Sequence, residues 1–135
     1  MNRSRYFRVC HKALAILAIL FGAVTILAGF RVLAGADPGY VVSPPLLIYN
    51  TVMGFTYVGV GAIAWRSLDF GKYGASVIFL LNLIVLAALF IAYVAGSAVA
   101  VESLLAMMLR TVVWFVIFVG LWWLSRRDFG SEQRG

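Results

Sequence analysis

Few side chains in this sequence could carry covalent or metal chemistry. Cys10 is the only cysteine and His11 the only histidine, and they are adjacent. An internal disulfide is therefore impossible, a thiol relay lacks its second sulfur, and a bis-histidine haem lacks its second imidazole. Haem or metal ligation shared with a partner chain is the one redox role left to the pair. The plainer reading makes them interfacial residues just ahead of a helix. No P-loop, G-x-S-x-G, H-E-x-x-H or paired-carboxylate spacing occurs in the sequence. No catalytic residue and no metal site is assigned, and the chain is read as non-catalytic on its own.

The remaining chemistry lies in polar residues set inside apolar runs. Arg110 falls within the last such run, where a bare charge costs about 2.5–3.5 kcal/mol at a central position. It needs a partner or water. Glu102 precedes it by eight positions, which on a helix is about 80° of rotation and about 12 Å of rise, so a direct pair is strained. Arg31 and Asp37 stand near the end of the first run, Tyr49, Asn50 and Thr51 near the start of the second, Tyr93 near the end of the third, and Asn82 nearer its middle. If successive runs are antiparallel helices, Arg31, Tyr49, Asn50, Tyr93, Glu102 and Arg110 share the outer leaflet. Two readings follow. The group is an internal polar network that fixes helix register, or it is a site for an anionic or carbonyl-bearing ligand such as a lipid phosphate or a quinone head. A quinone or bound lipid is the only small molecule suggested, and no other cofactor is expected. The half of the chain on the cytoplasmic side of Asn82 offers no series of ionisable residues for an ion or proton path.

The elements that must position these residues follow from composition. The 135 residues are 64% hydrophobic and 12% charged, with 11 Lys+Arg against 5 Asp+Glu for a net charge of +6. A water-facing domain is about 25% charged, so a soluble enzyme is nearly excluded. Apolar runs at about 13–33, 46–65, 74–94 and 104–124 each match a hydrocarbon core of roughly 30 Å at about 1.5 Å per residue. They are apolar all round, unlike alternating barrel strands. The expected fold is all-α: one polytopic membrane domain, residues 1–135, built as an antiparallel four-helix transmembrane bundle. Asp37-Pro38-Gly39 and Ser43-Pro44-Pro45 mark the first connector, residues 66–72 the second, and Ala95-Gly96-Ser97 the start of the third.

Arg3, Arg5, Arg8, Lys12, Arg66, Lys72, Arg126, Arg127 and Arg134 fall on one side of these spans, and only Arg31 and Arg110 do not. The positive-inside rule then puts both termini in the cytoplasm. Most of the basic excess is topological, and with no ordered basic domain a nucleic-acid partner is not expected. Trp65, Tyr73, Tyr93, Trp122 and Trp123 mark headgroup depth. Residues 3–12 read as a positive anchor or an interfacial helix, and the tail beyond Arg126 as short and solvated. Ala34-Gly35-Ala36 resembles a signal-cleavage site, but the apolar run before it exceeds the usual signal core of about 7–15 residues, so retention is expected. Small residues form stripes at helical spacing: Ala18, Gly22, Thr25 and Gly29 in the first span, and Thr51, Gly54 and Gly61 in the second. In the fourth, Ser103, Ala106, Arg110, Val113, Ile117 and Gly120 form the stripe expected to face inward.

The stretch from Gly22 through Leu27-Ala28-Gly29-Phe30-Arg31 to Asp37-Pro38-Gly39-Tyr40 resembles the opening of DoxX-like proteins. Its second hairpin is similar too, with a Gly-bearing helix, Arg66 in the turn and an Ala-rich return. That resemblance implies a small four-helix inner-membrane subunit associated with quinone-linked oxidoreductases. Arg31, Asp37 and Arg66 are positions of resemblance only, and no catalytic residue is carried over. The leading expectation is a non-catalytic accessory or interaction subunit, with the bilayer and either other membrane subunits or further copies of the chain as partners. The alternative is a quinone- or lipid-binding subunit that uses the outer-leaflet residues.

Overall fold

Stretches that are apolar on every side leave their backbone amides no partner in lipid except one another, and helices result. The computed structural model describes residues 3–39 and 43–132, apart from the side chains of Ser4 and of residues 128–132. Tyr40 and Arg134 lie outside the described residues. Among the described residues four helices follow in order: α1 (Arg3–Leu33), α2 (Pro44–Arg66), α3 (Leu68–Val94) and α4 (Val101–Glu132). Each is long and apolar enough to cross a membrane. The all-α four-helix bundle expected from sequence is what the chain forms.

The helices overrun the expected spans at their polar ends. Residues 3–12 are the opening turns of α1 itself, not a separate interfacial helix, and the tail continues α4 as far as Glu132. The largest difference concerns residues 66–72, expected as a connector, where only Ser67 is non-helical. Its extended backbone (φ −139°, ψ 120°) caps two helices at once. The Ser67 N–H donates to the Ile63 carbonyl at 2.8 Å, its carbonyl accepts from Gly71 N–H at 3.0 Å, and its Oγ accepts from Phe70 N–H at 3.4 Å. Asp69 occupies the first turn of α3, where a carboxylate meets the positive end of the helix dipole. Gly71 makes the corner sterically possible, since a Cβ there would lie 2.6 Å from Ala64 Cα.

At the opposite end α1 and α3 terminate alike. Ala36 N–H bonds the Arg31 carbonyl at 2.9 Å and Ser97 N–H bonds the Ala92 carbonyl at 3.0 Å. Gly35 and Gly96 supply the left-handed residue that this closure needs, with φ of 107° and 86°. Pro44 and Pro45 open α2, where their missing N–H groups have no intrahelical role.

Helices adjacent in sequence pack against one another, and α1 also meets α4, so the four form a ring. The α1–α2 seam is the tightest: a Cβ added to Gly22 would lie 2.8 Å from both Gly54 O and Val58 N, and one added to Gly61 would lie 2.6 Å from Ile19 Cγ1. The small-residue stripes expected from spacing are buried there. On α4 the most buried line is Leu104, Met107, Thr111, Trp114, Ile117, Leu121 and Leu124. The expected stripe, apart from Ile117 and the buried Ser103, lies beside it, and Arg110 is half-buried on that flank.

Contacts at one end tie the start of α1, the Ser67 corner and the end of α4 together. The rings of Phe7 and Trp123 stack at 6.3 Å, Lys12 Nζ sits 4.5 Å from the Trp65 ring, and Lys72 Nζ donates to Ser125 Oγ at 3.4 Å. That end carries Arg3, Arg5, Arg8, Lys12, Arg66, Lys72, Arg126 and Arg127. Arg31, Asp37 and Glu102 stand at the other.

Candidate functional site

Asn82 is fully buried at the middle of α3, on the same face as Ala75 and Ile78. Two α2 residues eight positions apart, offset by about 80° around the helix and about 12 Å along it, both reach it through their long side chains. Tyr49 donates its hydroxyl to Asn82 Oδ1 at 3.0 Å, and Tyr57 donates to the same oxygen at 3.1 Å. Tyr57 is held between α1 and α4: its ring centroid is 5.8 Å from Phe21 and 4.9 Å from Trp114. One turn before Trp114, the Arg110 guanidinium is close enough for its charge to act on both tyrosines. Side chains of a helix lean toward its N-terminus, so Arg110 leans toward the start of α4, the end nearer Tyr49. The result is a polar ladder from Arg110 and Tyr49 in one half of the bundle to Tyr57, Asn82 and Trp114 at mid-depth.

The ladder holds more donors than acceptors. Asn82 Oδ1 takes both phenolic hydrogens, while Asn82 Nδ2 and Trp114 Nε1 are buried without a hydrogen-bond acceptor among the described residues. Each such orphan costs about 1–3 kcal/mol. With the Arg110 charge alongside, the arrangement favours an incoming oxygen bearing lone pairs or negative charge and disfavours a cation. The threonines add nothing to it. Thr25, Thr51 and Thr111 each return their hydroxyl at 2.8 Å to the carbonyl four residues earlier, as buried hydroxyls in lipid-facing helices do.

No family model, no curated protein and no solved structure matches the chain.

Of the six residues grouped by depth, Tyr49 and Arg110 are the two near enough for the charge of one to act on the other. Asn50 is half-buried on the adjoining face of α2, its Oδ1 enclosed and without a donor among the described residues. Arg31, Tyr93 and Glu102 are exposed at the far ends of α1, α3 and α4. Tyr93 instead lines an apolar groove of about 450 Å3 between α3 and α4, with Leu83, Leu86, Phe90, Leu104 and Met108 among its walls. The inner end of that groove, Leu83 and Met108, adjoins Asn82 and Arg110 along the chain.

Tyr57 and Trp114 were not among the expected site residues, although their spacing marks both. Tyr57 falls between Gly54 and Gly61 at intervals of three and four, on the small-residue stripe of α2. Trp114 is one turn beyond Arg110. His11 proves to be a capping residue inside α1: its Nε2 hydrogen-bonds the Ala64 carbonyl, one of the carbonyls left over at the end of α2. Near it, Ser125 Oγ donates to Asp69 Oδ1 at 3.1 Å and accepts from Lys72, pinning α4 to the start of α3. No group of His, Cys, Asp and Glu among the described residues could hold a metal ion.

Proposed function

We propose that this chain is a small non-catalytic membrane subunit whose bundle holds the carbonyl-bearing head of a membrane-dissolved amphiphile, a quinone or an ester lipid. The observation that carries this reading is the pair of buried N–H donors, Asn82 Nδ2 and Trp114 Nε1, left without an acceptor beside the Arg110 charge. A carbonyl oxygen supplies the missing lone pairs, and the apolar groove between α3 and α4 suits the hydrocarbon part. The DoxX-like resemblance of the first helix points the same way.

A companion observation supports the accessory role. The helices are joined by Ser67 alone or by short segments, so nearly every described side chain lies on a membrane-spanning helix. Such a chain meets partners through its helix faces, as part of an inner-membrane assembly with both termini in the cytoplasm.

A short-tailed benzoquinone and an ester lipid, each titrated into the protein in nanodiscs, test the reading. Quenching of tryptophan emission by the quinone is expected to saturate and to be lost in Trp114→Phe. Asn82→Leu is expected to weaken binding about tenfold, the worth of one buried hydrogen bond. Preference between the two probes identifies the class of amphiphile. Equal affinity in wild type and Asn82→Leu refutes the site, and purification in mild detergent only as a lone monomer refutes the accessory role.

A further inference from the structure

At the basic end of the bundle, far from the polar ladder, a groove of about 590 Å3 runs between the opening turns of α1 and Trp65 of α2. Its lining is divided by chemistry. Arg5, Arg8 and Lys12 recur at intervals of three and four and form a cationic edge, while Val9, Ala13 and Ile16 recur at four and three and form an apolar floor. No acidic side chain is among the described residues that line it.

We propose that this groove is a binding site for an anionic phospholipid, with the phosphate on Arg5, Arg8 and Lys12 and the start of an acyl chain along Val9, Ala13 and Ile16. Direction along the helix is the first argument. Side chains of α1 lean toward its N-terminus, so these cations reach out to headgroup depth while their stems cover apolar surface. Arg126 and Arg127 lean the other way, back over the Trp122 and Trp123 rings at 4.2 and 4.3 Å. Trp65 is the second argument: 41% exposed, with Lys12 Nζ 4.5 Å from its ring, it walls the groove where an indole prefers to sit. The occupant follows from the division of the lining. A free phosphate would leave Val9 and Ile16, 58% and 44% exposed, uncovered, and a zwitterionic headgroup would bring a cation to a groove whose described lining residues are basic or apolar.

Native mass spectrometry of the full chain, loaded with phosphatidylglycerol or phosphatidylcholine, tests the proposal. Wild type is expected to retain phosphatidylglycerol selectively. Each juxtamembrane cation is worth about a fivefold factor, so the double variant Arg5→Gln, Lys12→Gln should weaken retention by about 25-fold. The double variant Arg126→Gln, Arg127→Gln, with the same loss of charge at the same end, should change it less than twofold. Ala13→Trp fills the apolar floor without altering charge and should also displace the lipid, which separates a groove from a diffuse basic surface. Equal retention of phosphatidylcholine, an equal loss in the Arg126 and Arg127 variant, an unchanged result in Ala13→Trp, or displacement of the lipid by millimolar inorganic phosphate overturns it. All of these variants leave the Asn82 ladder intact, so failure here is distinguishable from failure of the quinone or ester-lipid site.

Discussion

Adding one methyl group at Gly22 should weaken this bundle even though alanine is the better helix former. A Cβ there would lie 2.8 Å from Gly54 O, Val58 N and Val58 Cγ2. Two of those atoms are backbone and cannot rotate away. Ordinary contact begins at 3.4 Å, so the helices must part by about 0.6 Å (3.4 − 2.8). The same seam holds Gly54 against Ile26 and Gly61 against Ile19, so parting at one point loosens the others. Overpacking of this kind costs about 1–3 kcal/mol. The gain in helix propensity from glycine to alanine offsets about 1 kcal/mol of that. Gly22→Ala should therefore be destabilised by up to about 2 kcal/mol. Gly59, on the exposed side of the same α2, has no atom within 4 Å of its would-be Cβ, and Gly59→Ala should be neutral or up to about 1 kcal/mol more stable. Reversible unfolding in mixed micelles of increasing SDS content, followed by circular dichroism and tryptophan emission, measures both. A Gly22→Ala protein as stable as Gly59→Ala would show that the seam is not backbone-tight.

Asn82→Ala strands two tyrosine hydroxyls and should cost about 2–4 kcal/mol in the same assay, while Asn82→Leu combined with Tyr49→Phe and Tyr57→Phe should recover most of it, because removing both partners of a buried bond is nearly neutral. His11→Phe removes the cap on the Ala64 carbonyl and should cost about 1 kcal/mol, with amide exchange at the end of α2 accelerated more than elsewhere. Gly71→Val should displace α3 from α2 at the Ser67 corner and lower thermal stability by at least as much as Gly22→Ala. On a Cys10→Ser background, Ser97→Cys should react with an impermeant maleimide in intact cells and Arg66→Cys only after permeabilisation; the reverse pattern would invert the topology.

Depth in the membrane was legible in the sequence, and direction around each helix only in part. Runs of apolar residues located all four helices, because a helix must bury its backbone polarity wherever lipid is the solvent. Polarity at Arg66, Asp69 and Lys72 suggested a loop, yet it marks the membrane edge, and a serine cap with a dipole-matched aspartate lets helix continue through it. Arg31, Tyr93 and Glu102 share a depth with Tyr49 and Arg110 but face outward, and depth alone cannot separate them. The small-residue stripes did fix direction where backbones touch. Tyr57 stood on such a stripe, but a large aromatic among glycines reads as packing until its hydroxyl is seen to meet Asn82.

The single-residue corner at Ser67 makes α2 and α3 a pair of rods hinged at one end. Their ends at that corner cannot separate, so any relative motion is a rotation about it, and displacement grows with distance along the rods. Tyr57 lies ten residues from the hinge and Asn82 fifteen, about 15 and 22 Å at 1.5 Å per residue. A change of about 5° then moves Asn82 by about 2 Å, more than a hydrogen bond tolerates. The bonds from Tyr49 and Tyr57 to Asn82 act as a latch across those arms. Whatever competes for that amide acts on the angle between the helices, and the farther ends of α2 and α3 travel most.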